Sequence, residues 1–275
     1  MKITYYGTGA GESWPGVFCQ CSLCREARRL GGKNIRTRSQ ALINDDLLLD
    51  LPPDNQLHSL YYGLDLSRVK TLLFTHSHSD HCYPEDLEFL RQPFSHTHDG
   101  VLDIYGNETV AQRIQAALGT LGSQEDRFAY HTVPCHQAFF TTAGYTVVPL
   151  RARHAGNERC LFYWISRDGK QVLYAHDTGR FWPDCLETLG TLPGKLSLVS
   201  LDCTSQKHRD GAYHMGLADA AEQKAELLAL GLADGDTVWV VNHFSHNGGW
   251  LHEEIAREAE KLGFHTAYDG MCLAF

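Results

Sequence analysis

The chain has 275 residues, 43 % of them hydrophobic and 21 % charged, with a formal net charge of −9. These are globular proportions, enough for one large domain or two modest ones. The negative balance argues against a broad nucleic-acid-binding face, and the lack of any run of about eighteen apolar residues argues against a membrane span.

The opening "MKITYYGTGAGES" predicts a strand first. It lacks the apolar core of an export signal, so a cytoplasmic, reducing setting is expected. There, nine cysteines point to metal sites or buried thiols more than to disulfides. Cys19, Cys21 and Cys24 follow in "FCQCSLC", one ligand short of a tetrahedral metal site. The basic run "CREARRLGGKNIRTR" with Arg25, Arg28, Arg29, Lys33, Arg36 and Arg38 reads as a solvated helix and loop.

"ALINDDLLLDL" predicts two strands around an Asn-Asp-Asp turn, ending at Asp50. "VKTLLFT" has the length and unbroken apolar character of a buried strand. It empties into "HSHSDH", which holds His76, His78, Asp80 and His81. "PEDLEFLRQ" predicts a helix with Pro84 in its first turn. "VLDIYG" predicts a strand, and "ETVAQRIQAALG" a helix closed by glycine.

Strands are then expected at "AGYTVVPLRA", "CLFYWIS", "KQVLYAHD", "LSLVSLD", "DTVWVVNH" and "TAYDGMCLAF". "LADAAEQKAELLALG" and "LHEEIAREAEKLG" are amphipathic helices. Cys82, Cys135, Cys160, Cys185, Cys203 and Cys272 stand singly and read mostly as small buried apolar residues. Runs of strands with interleaved helices predict two layered sheets covered by helices. With no Pro/Gly/Ser linker, residues 1–275 are expected to form one domain, with a knuckle at 19–24.

The dense "HSHSDH" loop carries the chemistry. Imidazole and carboxylate suit zinc, iron and manganese alike. His76 and His78, two apart on an extended segment, can reach one metal, while Asp80 and His81 turn toward a second. His154, Asp177 and His243 each end a later strand. Together they make a ligand set for two adjacent divalent metals with an open face. His246 lies three residues beyond His243. It would complete Cys19, Cys21 and Cys24 as a Cys₃His structural zinc site, tying the N-terminal loop to the loop of His243.

The pattern H-x-H-x-D-H, a distal His, an Asp before Thr-Gly and a late His resembles the metallo-β-lactamase superfamily over nearly the whole chain. The resemblance implies an α/β, αββα four-layer sandwich with its metals at one edge. It implies that His76, His78 and His154 hold one metal and Asp80, His81 and His243 the other, with Asp177 bridging. Asp50 matches an acidic residue placed behind the site, where a metal-bound histidine needs an acceptor.

The C-x-C-x-x-C knuckle, His246 and the ending "AYDGM" are similar to the phosphodiesterase branch of bacterial phosphonate breakdown, the PhnP branch. That branch implies a histidine after D-C-[ST] that assists the leaving group. In "LDCTSQKHRDGAYHMG" the match is His214, with His208 as the alternative. The sequence departs at Cys82-Tyr83-Pro84, where a Gly-Leu turn is usual, and in His96 and His98, expected near the pocket rim.

The implied activity is metal-dependent hydrolysis, first of all of small or cyclic phosphodiesters, through a hydroxide activated by the metal pair. Asp80 would serve by holding a metal, and His214 by protonating the departing alkoxide. Lactonase or thioesterase activity is the alternative within hydrolysis. The PqqB family of pyrroloquinoline-quinone biosynthesis shares the fold and a similar knuckle, and would imply oxidative chemistry. Ribonuclease Z is also related, but no Gly-rich basic insertion for gripping tRNA is present. The expected partner is a small-molecule phosphodiester, with neither nucleic acid nor membrane, and a homodimer is compatible with the resemblance.

Overall fold

The structure is a computed structural model that describes residues 1–96 and 100–275. His98 lies outside the described residues. The first half runs β1 (Lys2–Gly7), α1 (Ser22–Leu30), β2 (Gln40–Ile43), β3 (Leu47–Leu49), α2 (Asn55–Tyr62), β4 (Thr71–Leu73), β5 (Leu102–Gly106), α3 (Glu108–Leu118), β6 (Gly122–Ser123), β7 (Phe128–Thr132) and β8 (Phe139–Phe140). The second runs β9 (Thr146–Arg151), β10 (Leu161–Arg167), β11 (Lys170–Ala175), α4 (Pro183–Thr191), β12 (Leu198–Asp202), α5 (Leu217–Ala229), β13 (Val238–Asn242), α6 (His252–Lys261), β14 (His265–Thr266) and β15 (Met271–Ala274).

The strands form two mixed sheets, one ordered β15-β1-β2-β3-β4-β5-β7-β6 and the other β14-β13-β12-β11-β10-β9-β8. Strand periodicity explains how they stack. Along β10, Leu161, Tyr163 and Ile165 face a core between the sheets, while Phe162 and Trp164 face a second core. That second core is closed by Ala27 of α1, Leu189 of α4, Ala220 and Leu227 of α5 and Ile255 of α6. On the other sheet, Leu47 and Leu49 point between the sheets, and Leu48 points outward to Val110 and Ile114 of α3. Side chains of alternate residues leave opposite faces, so strands covered on both sides must be apolar throughout. The result is the expected helix–sheet–sheet–helix order.

The parallel pairings place the site. β3, β4, β5 and β7 pair in parallel, as do β11, β12, β13 and β14. Their carboxyl ends therefore open together at one edge of the sandwich, where ligands of α/β sheets bind.

Several expectations are corrected. "PEDLEFLRQ" forms a 3₁₀ helix, Pro84–Leu90, whose N-terminus has no side-chain cap. An uncapped segment this short lacks the bonds to propagate an α-helix. "TAYDGMCLAF" is not one strand. It turns at Gly270 (φ +86°), so β14 joins one sheet and β15 the other.

Arg36 is not solvated. It is 1 % exposed, its guanidinium donating to Thr8 Oγ1 (2.7 Å), the Ala267 carbonyl (2.7 Å) and His252 Nδ1 (2.9 Å). Among the single cysteines, Cys272 is exposed and Cys135 half-buried. α2, α4 and β6 to β8 carried no sequence signal strong enough to assign. α2 buries polar Asn55 and His58, which masks its periodicity. Among the described residues no helix is long and apolar enough to cross a membrane.

Candidate active site

The buried run of β4 ends in Phe74, whose amide is still bonded to the Tyr105 carbonyl (2.8 Å). The Thr75 carbonyl then accepts from the Leu161 amide of β10 (2.8 Å), and the His/Asp loop begins. Asp50, at the end of β3, is fully buried and adopts φ +63°. Its carboxylate accepts from the Thr75 amide (2.8 Å), from Thr75 Oγ1 (3.0 Å) and from His81 Nδ1 (2.7 Å). Thr75 Oγ1, having donated to Asp50, can accept from His76 Nδ1 (3.0 Å). Each Nε2 faces the centre, and a metal-ligating histidine needs such an acceptor on its other nitrogen.

The second sheet repeats the device. Asp202, at the end of β12, accepts from Thr204 Oγ1 (2.8 Å), which accepts from His243 Nδ1 (2.7 Å). Asp202 also accepts from the backbone amides of Asp177 (3.0 Å) and Met215 (2.8 Å). Asp202, Thr75 and Thr204 were not identified from sequence. Only the position of Asp202 at a strand end, in "SLDCT", hinted at a role.

The predicted ligands converge on two points. His76, His78, His154 and Asp177 form one group, and Asp80, His81, Asp177 and His243 the other. Asp177 Oδ2 lies 3.2 Å from His76 Nε2, 3.2 Å from His154 Nε2 and 3.4 Å from His81 Nε2. His81 Nε2 lies 3.3 Å from Asp80 Oδ2 and 3.4 Å from His243 Nε2. A tetrahedron with metal–ligand bonds of about 2.0–2.1 Å has edges of roughly 3.3 Å, so the spacing fits two cations sharing Asp177.

Unpartnered atoms give the same answer. His76 Nε2 and Asp177 Oδ1 are buried and, though each has a charged neighbour, make no well-aligned hydrogen bond, which is costly unless something else binds them. Burial pushes His154 down to about 4, so it presents a neutral imidazole, the form that ligates.

His214 reaches the site as well. Its Nδ1 lies 3.1 Å from Asp177 Oδ1 and 3.7 Å from Asp202 Oδ2. Burial opposes its protonation, but these two carboxylates outweigh burial and raise it to about 11. Cations on Asp177 would take up that carboxylate's charge and leave Asp202 as the main partner. His208 is exposed and lines the same cavity. That cavity, of about 420 Å³, is walled by Glu12, Ser205, Asn247 and the metal-site residues, with no Lys or Arg among the described residues. His96 is exposed and does not line it.

The knuckle sits behind His243. His246 Nδ1 faces Cys21 Sγ (3.6 Å) and Cys19 Sγ (4.0 Å), and Cys24 completes the group. Bonds of about 2.3 Å to sulfur and 2.0 Å to nitrogen give S–N edges of roughly 3.6 Å, so this set fits one zinc. Cys21 caps α1, and the Cys24 amide donating to its sulfur (3.4 Å) lowers its thiol to about 6, toward the thiolate a metal needs. The backbone closes the link: the Ala10 amide donates to the Phe244 carbonyl (3.0 Å) and the Phe244 amide to the Thr8 carbonyl (2.9 Å). Glu12 pairs with Ser245 Oγ and lies 3.7 Å from His246 Nε2.

This sandwich, with paired His/Asp clusters at one edge, defines a metallohydrolase of the metallo-β-lactamase fold. The pattern of the beta-lactamase superfamily domain matches residues 48–230, and the chain belongs to that superfamily. No curated protein matches it by sequence.

Among solved structures, a diphosphatase of the PhnP family is 23 % identical with a TM-score of 0.75, over 100 % of this chain and 97 % of that one. Zinc-bound PqqB from Methylobacterium extorquens is 16 % identical with a TM-score of 0.71, over 100 % of both chains. The short form of human tRNase Z is 17 % identical with a TM-score of 0.65, over 100 % of this chain and 99 % of the other. These likenesses establish the fold.

Proposed function

We propose that the protein is a metal-dependent phosphodiesterase acting on small phosphodiesters. The observation that carries this reading is the pair of tetrahedral ligand sets sharing Asp177, with His214 beside them at the mouth of a polar cavity. Two divalent cations, when bound, would supply Lewis acidity and an activated water.

The chain's own residues do the rest. His76, His78 and His154 would hold one cation, Asp80, His81 and His243 the other, and Asp177 both. Asp50 and Asp202 keep the imidazoles in the ligating tautomer. His214, held protonated by Asp202, would donate its proton to the departing alkoxide, a step worth about 10²–10⁴-fold. His208 is the alternative donor but has no carboxylate among the described residues to hold its proton. The PhnP-family likeness supports phosphate chemistry, and the absence of Lys and Arg from the cavity wall leaves charge neutralisation to the cations.

The test is turnover of bis(p-nitrophenyl) phosphate by protein of measured metal content, with manganese or zinc added. Metal-dependent release of nitrophenolate is expected. Inactivity on this diester together with hydrolysis of a lactone or thioester would move the protein to another hydrolase class. Oxygen consumption by an iron-containing preparation would favour the oxidative reading that the PqqB likeness keeps open.

A further inference from the structure

Between Asp202 and His214 the chain makes an excursion that returns on itself. The Ser205 amide donates to the Met215 carbonyl (3.1 Å), and the Leu217 amide donates to the Gln206 carbonyl (2.7 Å). Residues 207–214 therefore hang from a base at Ser205 and Gln206, and His214 stands at the returning end. The two arms press together at that base: an added Cβ on Gly216 would lie 1.8 Å from the His208 carbonyl oxygen and 3.0 Å from that of Gln206.

Gln206 is 1 % exposed and adopts φ +46°, in the left-handed region that disfavours a side chain. Such a conformation persists where the surroundings impose it, and such residues cluster at functional sites. Asp50, Asp177 and His243 of the site share it. What holds Gln206 is its side-chain amide. Nε2 donates to the Ser245 carbonyl (2.7 Å), and Oε1 accepts from the Trp250 amide (2.8 Å). Both ends of the amide are thus spent on one loop, which begins at His243 and carries His246. Gly248 of that loop lies flat against it, since a Cβ there would sit 2.4 Å from Gln206 Cγ. Gly248 lines the polar cavity and Gln206 does not, so Gln206 supports the site from beneath.

Among the described residues, none of residues 207–214 hydrogen-bonds the loop of residues 243–250. The bond between Thr204 and His243 fixes that loop to the start of the excursion. The Gln206 amide fixes it to the base from which His214 returns. The His214 and His243 rings then stand with centroids 6.2 Å apart.

We propose that Gln206 is a positioning residue: its amide clamps the His214 excursion to the loop of the candidate ligand His243, and so sets the place of the proton donor relative to the metal pair. This rests on the phosphodiesterase reading with His214 as donor. It adds to that reading a residue that touches neither substrate nor metal.

The test compares 2′,3′-cyclic AMP, which must expel an alkoxide, with bis(p-nitrophenyl) phosphate, whose phenolate leaves without a proton, using metal-loaded protein. Gln206→Met keeps the bulk of the side chain and removes both hydrogen bonds. It should lower kcat on the cyclic diester about 10- to 100-fold, the scale of displacing a catalytic group by about 1 Å, and change kcat on the nitrophenyl ester less than about threefold. Metal content should stay as in the wild type. Gly248→Ala, which pushes the amide off the loop, should give the same split should Gln206→Met not fold.

An equal loss on both esters would make Gln206 scaffold alone and overturn the proposal, as would full activity on both. If His214→Ala shows no such split, the donor assignment fails first, and if neither ester is turned over the phosphodiesterase reading fails first. In either case the clamp is read by hydrogen–deuterium exchange of the metal-loaded protein. Faster exchange in residues 207–217 of Gln206→Met would support it, and unchanged exchange would overturn it.

Discussion

Asp50 and Asp202 occupy matching places on the two sheets, each accepting from a threonine hydroxyl that in turn accepts from a histidine. Their effect should therefore be indirect. Asp202→Asn is expected to weaken metal binding at the His243 site about 10–100-fold, read by metal titration, with activity recovering at high metal. Asp80→Ala removes a ligand outright and should leave one active-site metal and little turnover. Retention of both metals with normal turnover would refute the ligand assignment. His214→Ala should lower kcat about 10²–10⁴-fold on an alkyl leaving group and far less on p-nitrophenolate, which leaves without a proton. At this scale the candidate ligands were legible as a cluster because metal sites draw on a short menu of residue types after strand ends. Asp202, Thr75 and Thr204 were not, because hydroxyls and carboxylates behind a site look like any turn.

The knuckle and α1 lie behind the loop that carries His243. A structural zinc contributes folding free energy directly, so Cys21→Ser should lower the melting temperature and cost one zinc per chain, as metal analysis and calorimetry would show. Unchanged stability and zinc content would rule the knuckle out. Gly179 is the point where the Asp177 loop meets the His214 segment, and an added Cβ there would sit 2.5 Å from the Gly211 carbonyl oxygen. Gly179→Ala should displace His214 and lower turnover while the knuckle zinc remains. Strands were legible where both faces are covered, since the buried stretch of β10, Leu161 to Ile165, is apolar throughout. Pro84–Leu90 was misread because a leading proline marks a helix start but not its type. The split between β14 and β15 was missed because the turn at Gly270 interrupts a sequence that is apolar on both sides.

Beneath the site a polar network crosses the protein from Arg36 to His58. His252 Nδ1 accepts from Arg36 (2.9 Å), so this imidazole must be neutral. His58 Nδ1 donates to Gln40 Oε1 (2.6 Å), and its Nε2 lies 2.7 Å from Thr37 Oγ1. Burial, the main cause, pushes His58 down to about 4 and His252 down to about 3. Unfolded histidines titrate near 6.5, so between that value and 4 the unfolded chain binds protons that the folded one refuses. Stability is then complete above about pH 6.5 and falls as the pH drops, by on the order of 2–3 kcal/mol for His58. Denaturant unfolding at pH 7.5 and pH 5 checks this. His58→Gln should remove about half of the difference, His252 supplying the rest, and the same pH dependence in both proteins would assign it elsewhere. The net charge and basic run did not foretell this network, because burial of Arg36 depends on partners from distant segments, at Thr8, His252 and Ala267.

Every candidate ligand of the paired sites lies in a loop that follows a strand, so the ladders and the chemistry are built from separate residues. The register of β10 against β11, or of β12 against β13, is set without reference to what the loops hold. Mutation can therefore rework the rim while the scaffold keeps its pairing. A lineage of such proteins can change its diet by trading loops, and inherit the hearth unchanged.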